Sequence, residues 1–335
     1  MNSILKIKAG KKMKNFTTSV VIATYNGEKY IGEQLESIFE QTFLPDEVII
    51  SDDLSTDNTA TIVENYIKEN GLEDQWKLII NEENLGWRKN FINLIKKASG
   101  DIIFTCDQDD VWKKNKIEMM VSEFEKNSKI GVLVSDYEEL MENTGKSSKL
   151  RKLNTVEEKG TQRVKFVYDN ILLKRPGCVF ALANEFVPEV ISYFDILENP
   201  AHDVAMWGSA LIDDKLYYLA KPTIDFRRHE NSSFQKEINT AAEKTTVYQI
   251  RINRLKRFNV RIGCALSFLK NRSTIYDKEN KEKVLRKMLK ENDTRIVVLE
   301  TGKISKLIIN APSYISIFNL SADLKHLLRM KLKRN

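Results

Sequence analysis

Three carboxylates, Asp107, Asp109 and Asp110, fall within four residues, directly after the apolar run Ile102 to Cys106. A buried strand that delivers acids at its carboxyl end is the usual setting for a site in an open α/β sheet. Carboxylates this close repel one another in low dielectric, and a cation or a set of donors must offset the charge. A hard divalent ion, Mg²⁺ or Mn²⁺, is the natural partner, because it keeps part of its water shell and completes the rest with phosphate oxygens. The competing reading is an acidic turn after a strand, and the surrounding chain has to decide between them.

The elements that would position these acids follow from periodicity. Ser19 to Ala23 is a β-branched run, and Thr24-Tyr25-Asn26-Gly27 is its turn. From Glu28 to Gln41, Tyr30/Ile31, Leu35 and Ile38/Phe39 recur at helical spacing. Glu47 to Ile50 is a second strand that again leads into acids, Asp52 and Asp53. A helix capped by Ser55, Thr56 or Asp57 is expected from about Asn58 to Asn70-Gly71. Lys77 to Ile80 forms a third strand, Asn84-Leu85-Gly86 its loop, and Trp87 to Ala98 a third helix. This alternation predicts a three-layer α/β/α fold on a mostly parallel sheet, with the strand ends opening on one crevice.

Composition sets outer limits. The 335 residues are 42% hydrophobic and 30% charged, which suits a globular chain with a sizeable core. No apolar run approaches the ~20 residues needed to span a bilayer. Residues 1–16 read as a lysine-rich lead without the apolar core of a secretory signal. Cys106, Cys178 and Cys264 are scattered and odd in number, which favours reduced thiols and a cytoplasmic location over a disulfide framework or a zinc cluster. The net charge of +6 is uneven: Ala241 to Asn335 carries 22 Lys/Arg against 8 Asp/Glu. No Gly-x-Gly-x-x-Gly follows the first strand and no P-loop occurs, so phosphate must be held by metal and cationic side chains.

These segments together resemble glycosyltransferase family 2, nucleotide-sugar-dependent enzymes of GT-A fold. The resemblance is carried by Val20 to Gly27, by Ser51-Asp52-Asp53-Leu54-Ser55-Thr56-Asp57-Asn58-Thr59, by Asn84-Leu85-Gly86 and by Asp107-Gln108-Asp109-Asp110-Val111-Trp112. The last wording is most similar to bacterial rhamnosyltransferase-type members. Leu54 stands where the family usually has Gly. Pro176 to Ala181 is similar to the segment shaping the acceptor side, and His202-Asp203-Val204-Ala205-Met206-Trp207 to the segment with the catalytic base, His-Asp replacing the commoner Glu-Asp. Phe226-Arg227-Arg228-His229-Glu230-Asn231-Ser232 resembles the Tyr-Arg-x-His-x-x-Asn segment that closes on the diphosphate, with Asn one place early.

The resemblance implies roles for these positions. Asp109 is expected at a metal ion, Asp107 near the ribose or metal, and Asp110 beside them, unless it caps the following helix. Tyr25 would lie on the pyrimidine face, and Asp53, with Asp52 as rival, would accept from the ring N–H. Period-two alternation lets only one of that pair face the crevice. Thr24 and Glu28 are further nucleotide contacts, and Arg88 a phosphate contact from the start of its helix. Asp203 would be the general base of an inverting transfer, with His202 packing beside it. His229 would meet the metal or a phosphate, with Arg227 or Arg228 balancing phosphate charge.

The expected organisation is a glycosyltransferase domain over residues 17–240, with a nucleotide-sugar half (17–112) and an acceptor half (113–240), and a basic, mainly helical region over 241–335. Helices mixing apolar and basic residues in that region could lie on an anionic membrane or be a solvated face. Nucleic acid is not expected, because aromatic residues do not cluster with the basic ones. The expected reaction is transfer from a nucleoside-diphosphate sugar, dTDP-L-rhamnose first and a UDP-hexose or UDP-N-acetylhexosamine second, to a saccharide or lipid-linked saccharide in surface-polysaccharide synthesis. Nucleotidyl transfer and non-catalytic sugar-nucleotide or membrane binding are the alternatives from other classes.

Overall fold

The computed structural model describes residues 16–141, 150–158, 160–229 and 247–332. Most of the N-terminal lead, the Glu230-Asn231-Ser232 end of the diphosphate-closing segment, and Lys333 and Arg334 lie outside the described residues. Two compact units are present. The first comprises the described parts of Met1–Lys165, Leu173–Asp195 and Asn199–His229, and the second Phe166–Leu172, Ile196–Glu198 and the described parts of Glu230–Asn335.

In the first unit, strands and helices alternate through β1 (Thr18–Thr24), α1 (Ile31–Phe39), β2 (Glu47–Asp52), α2 (Thr59–Glu69), β3 (Trp76–Ile80), α3 (Trp87–Lys97) and β4 (Ile102–Asp107). Val20, Val21 and Ile22 on β1, Val48 and Ile50 on β2, and Ile102 to Phe104 on β4 have no exposed surface, which is why these runs are apolar without alternation. After them come β5 (Val111–Trp112), α4 (Lys116–Lys126), β6 (Val132–Met141), β7 (Thr155–Glu158), β8 (Thr161–Val164), β9 (Phe180–Ala183), α5 (Val187–Asp195), α6 (His202–Ile212) and β10 (Leu216–Arg228).

All of the strands join one sheet in the order β3-β2-β1-β4-β9-β6-β10-β8-β7, with β5 on β10. β1 to β4 are parallel, and β6 is parallel to β10. β9 is inserted antiparallel between β4 and β6. The sheet is therefore mixed, with a parallel core. The order places β1 between β2 and β4, so three carboxyl ends sit side by side: Thr24, Asp52 and Asp107.

The second unit is helical. Its helices are α7 (Val247–Lys270), α8 (Lys278–Thr301), α9 (Ile304–Asn310) and α10 (Ile317–Leu332). Leu255, Val298, Leu299, Leu307 and Leu327 form its core. Beside that core the buried Asp323 accepts from Arg251 and from Arg295 Nε at 2.8 Å, and from the Tyr314 hydroxyl at 3.1 Å. Part of this unit's positive charge is thus neutralised internally. Among the described residues no helix is long and apolar enough to cross a membrane.

Candidate active site

The turn after β1 and the turn after β2 are fastened to each other by side chains. Asn26, in the left-handed region at φ 49°, donates its N–H to Ser55 Oγ (2.8 Å), and its Oδ1 accepts from the Thr56 N–H (2.8 Å). The Gly27 N–H reaches Thr59 Oγ1, and Glu28 Oε2 accepts from the N–H and Nδ2 of Asn58. Glu28 therefore serves the start of α2. Thr24 is buried, with its hydroxyl 3.5 Å from both Ser51 O and Asp52 Oδ2.

Asp52 and Asp53 are both buried and have different partners. Asp52 Oδ1 accepts from the Ser55 N–H at 3.0 Å and holds the turn in which Leu54 takes φ 62°. That left-handed conformation explains why glycine is the residue that the fold would accept most easily there. Asp53 Oδ1 accepts from Asn81 Nδ2 (2.9 Å) and the Leu85 N–H (2.8 Å), and Oδ2 from the Gly86 N–H (2.8 Å). Gly86 has φ 77°, which turns its amide toward the carboxylate at the head of α3. The loop Asn84-Leu85-Gly86 is thus shaped around Asp53, whose Oδ2 retains acceptor capacity. Arg88, on the first turn of α3, lies over the Trp87 ring at 4.2 Å.

Gln108 joins β1 to the acidic turn. Its Oε1 accepts from the Tyr25 N–H at 2.8 Å and its Nε2 donates to Tyr25 O at 3.1 Å, which fixes the backbone of a tyrosine that is 45% exposed. A Cβ at Gly27 would meet Gln108 Oε1 at 2.5 Å, so a side chain there must displace the Gln108 amide. Sequence reading passed over Gln108, although its place between Asp107 and Asp109 was the available signal.

The acids themselves divide in two. Asp107 and Asp110 lie against the thiol of Cys178, with ligating atoms of the three within 4.8 Å of one another. Burial first, and then Asp109, push the Asp107 carboxyl up to about 7, and Asp203 adds to the effect. The same causes, with Asp107 in place of Asp203, raise Asp110 well above the carboxylate range. Asp110 Oδ1 accepts from the Arg227 N–H at 2.9 Å, tying the turn to β10; no helix begins at Asp110, since α4 starts at Lys116. Asp109 Oδ2 is 2.7 Å from His229 Nε2, and His229 Nδ1 is buried with no hydrogen-bond partner among the described residues.

A lysine that sequence reading missed lies behind this cluster. Lys116, on the first turn of α4, is fully buried and donates Nζ to Cys178 O at 2.7 Å, 3.7 Å from the Trp112 ring centroid. Burial pulls its ammonium down to about 8 while Asp110 and Asp107 work against that fall. It remains a cation at neutral pH and offsets part of the acidic charge from the interior side. Nothing in its local sequence separates it from the neighbouring lysines.

The two arginines at the end of β10 that were expected to balance phosphate charge are both engaged. Arg227 is buried, donates Nε to Asp109 O at 2.8 Å, pairs with Glu33 and stacks over Tyr30 at 4.8 Å. Arg228 pairs with Glu139 at 2.8 Å. Asp203 is the second residue of α6, and its Oδ1 accepts from the Val204 N–H at 2.7 Å. Next to it His202 is buried, stacked on Phe91 with ring centroids 4.0 Å apart, and burial lowers its imidazole to about 3. His202 is therefore neutral at physiological pH. The structure brings together Asp107, Asp109, Asp110, Asp203, Arg227 and His229, and it turns Glu28 and Arg228 to local partners.

Comparison with known proteins decides the family. The sequence model of Glycosyl transferase family 2 matches residues 19–185. The dTDP-rhamnosyl transferase RfbG of Shigella flexneri is 30% identical over 267 residues, 75% of this chain and 87% of that protein. The chain belongs to glycosyl transferase family 2. This glycosyltransferase is also 28% identical over 261 residues to the putative teichuronic acid biosynthesis glycosyltransferase TuaG of Bacillus subtilis, covering 76% of this chain and 94% of that one. Among solved structures, S. aureus TarS in complex with UDP-GlcNAc superposes with a TM-score of 0.57 at 22% identity, over 82% of this chain and 72% of that one. The mannosyltransferase PcManGT from Pyrobaculum calidifontis, in complex with GDP-Man and Mn²⁺, gives 0.52 at 14% identity, over 97% of this chain and 83% of that one. The fold of this glycosyltransferase is thus GT-A-like.

Proposed function

We propose that this enzyme transfers a sugar from a nucleoside diphosphate, dTDP-L-rhamnose first among candidates, to a saccharide or lipid-linked saccharide acceptor in bacterial surface-polysaccharide synthesis, with inversion and with a divalent metal. The observation that supports it most is the convergence of Asp107, Asp109 and Asp203, with His229 held on Asp109. The similarity to RfbG favours the rhamnosyl donor, and the cytoplasmic face of an anionic membrane suits a lipid-linked acceptor.

The donor set suits a hard ion. Burial holds the Cys178 thiol well above its ordinary range, so it stays protonated and is a poor ligand for Mg²⁺ or Mn²⁺. The Asp107 and Asp109 carboxylates would supply oxygen and His229 nitrogen; its Nε2 faces Asp109, and its Nδ1 has no hydrogen-bond partner among the described residues. When bound, such an ion neutralises charge on the departing diphosphate. Tyr25 offers its exposed ring to the base, and Asp53 Oδ2 is the acceptor for a ring N–H. Asp203 takes the acceptor hydroxyl proton as that oxygen bonds to the anomeric carbon. The bond from that carbon to the β-phosphate oxygen breaks on the opposite face, and the nucleoside diphosphate leaves with its electron pair.

The test is a panel of dTDP- and UDP-sugars assayed for binding and for metal-dependent turnover. Asp203→Asn should cut kcat by about 10²-fold or more while donor Kd stays within a few fold. Asp109→Asn should weaken the metal dependence itself. A UDP-hexose or UDP-N-acetylhexosamine as the sole substrate would replace the rhamnosyl donor, and no bound nucleotide sugar at all would remove the transferase assignment of the site.

A further inference from the structure

The helical unit carries more apolar surface than its core uses. On α9, Leu307 is buried, with Ile304 partly buried beside it, whereas Ile308 and Ile309 are 68% and 70% exposed. The α9–α10 connection adds the exposed Ile315, and α10 opens with Ile317 and Phe318, 85% and 77% exposed. Along α10, Leu320, Asp323 and Leu327 form the inward stripe. Ile317, Leu324 and Leu328, spaced i, i+7 and i+11, form a second, exposed stripe roughly 90° round the helix at 3.6 residues per turn.

Charge identifies what would cover this surface. Lys303, Lys306, Lys325 and Arg329 are exposed among these apolar residues. From Thr301 to the last residue the sequence holds seven Lys/Arg against one acid, Asp323, which is buried and held by Arg251 and Arg295. A second copy of the same surface would bring like charge to like charge. An anionic bilayer matches both the apolar stripe and its cationic border.

We propose that the α9–α10 segment is an in-plane anchor for an anionic lipid surface. Ile308, Ile309, Ile317 and Phe318 enter the acyl boundary, and Lys303, Lys306, Lys325 and Arg329 meet headgroup phosphates. This deepens the membrane contact of the proposed function and rests on that reading only for its purpose, which is to hold the enzyme where a lipid-linked acceptor is found.

The test is co-sedimentation of the full chain with phosphatidylcholine vesicles, with and without phosphatidylglycerol. Binding should require the anionic lipid and weaken with salt. Ile317→Glu/Phe318→Glu and, separately, Lys325→Glu/Arg329→Glu should each lower vesicle affinity by about tenfold or more, with thermal midpoint and donor hydrolysis unchanged. No binding, or binding retained by both variants, overturns the anchor. A dimer that the first variant converts to a monomer, without vesicle binding, assigns the stripe to a second copy and overturns it too. Donor hydrolysis without vesicle binding sinks the anchor alone, and vesicle binding without hydrolysis sinks the transferase reading alone.

Discussion

His202 and Asp203 are consecutive on the first turn of α6 and meet opposite surroundings. The imidazole is sealed between Phe91 and Trp87, and the carboxylate lies near enough to Asp107 to raise it. The buried histidine has a pH consequence. Its folded value near 3 is below the unfolded 6.5, so the folded state binds fewer protons, and the stability it contributes is complete above about 6.5 and lost as pH falls toward 3. His202→Leu should remove that dependence. Wild type should lose about 2 to 3 kcal/mol more than the variant between about pH 6.5 and 4.5, read from denaturant midpoints. Parallel curves for the two proteins would mean that the imidazole charges without cost and is not sealed.

At the scale of the element, the site depends on turns that hold one another. β1 ends in a turn clasped by Ser55 and Thr56 from the turn after β2 and by Thr59 at the start of α2, and Gln108 reaches from the turn after β4 to the Tyr25 backbone. Gly27→Ala drives a methyl group into Gln108 and releases that clasp. Its effect should match that of Gln108→Ala: donor Kd raised about tenfold in each, and the double variant no worse than either single one, because both remove the same link. Isothermal titration with the donor reads all three. Additive losses would show that Gly27 acts elsewhere than on Gln108.

For the molecule as a whole, electrostatics set a competition. Asp107 and Asp110 are raised by burial first and then by the Asp109 charge, and Lys116 offsets only part of the cluster's charge. An acid whose folded value lies above its unfolded one stabilises fully below the unfolded value, and the contribution is lost as pH rises through the folded one. The Asp107 contribution to the stability of metal-free protein should therefore be lost from about pH 4 to about pH 7. It is read as the stability difference between wild type and Asp107→Asn, because His202 changes in the opposite sense over the same range. Mn²⁺ or Mg²⁺ should restore the thermal midpoint at pH 7.5 by mass action on the ionised carboxylates, and Asp109→Asn should blunt the recovery. A wild-type midpoint indifferent to cation, with a difference from Asp107→Asn that is indifferent to pH, would mean that the cluster is already neutral by other means.

Sequence alone determined what local rules govern. Apolar runs of strand length between amphipathic helical patterns gave the order β1 to β4 with α1 to α3. The acids after β2 and β4 were visible because a strand must end before it can carry them into a crevice. The motif wording gave the family. Tertiary structure decided the pairings between residues remote in sequence. Its antiparallel β9 brings Cys178 and the preceding Gly177 to the acidic turn. The Arg227–Glu33 pair and the sealed Lys116 depend on where β10, α1 and α4 pack, which no periodicity encodes. The same holds for Asp53. Its neighbourhood in sequence marks it as a site acid, but only the folded loop shows three donors already converging on its carboxylate. Spacing along the chain reports which face a residue can occupy, and packing alone decides what it meets there.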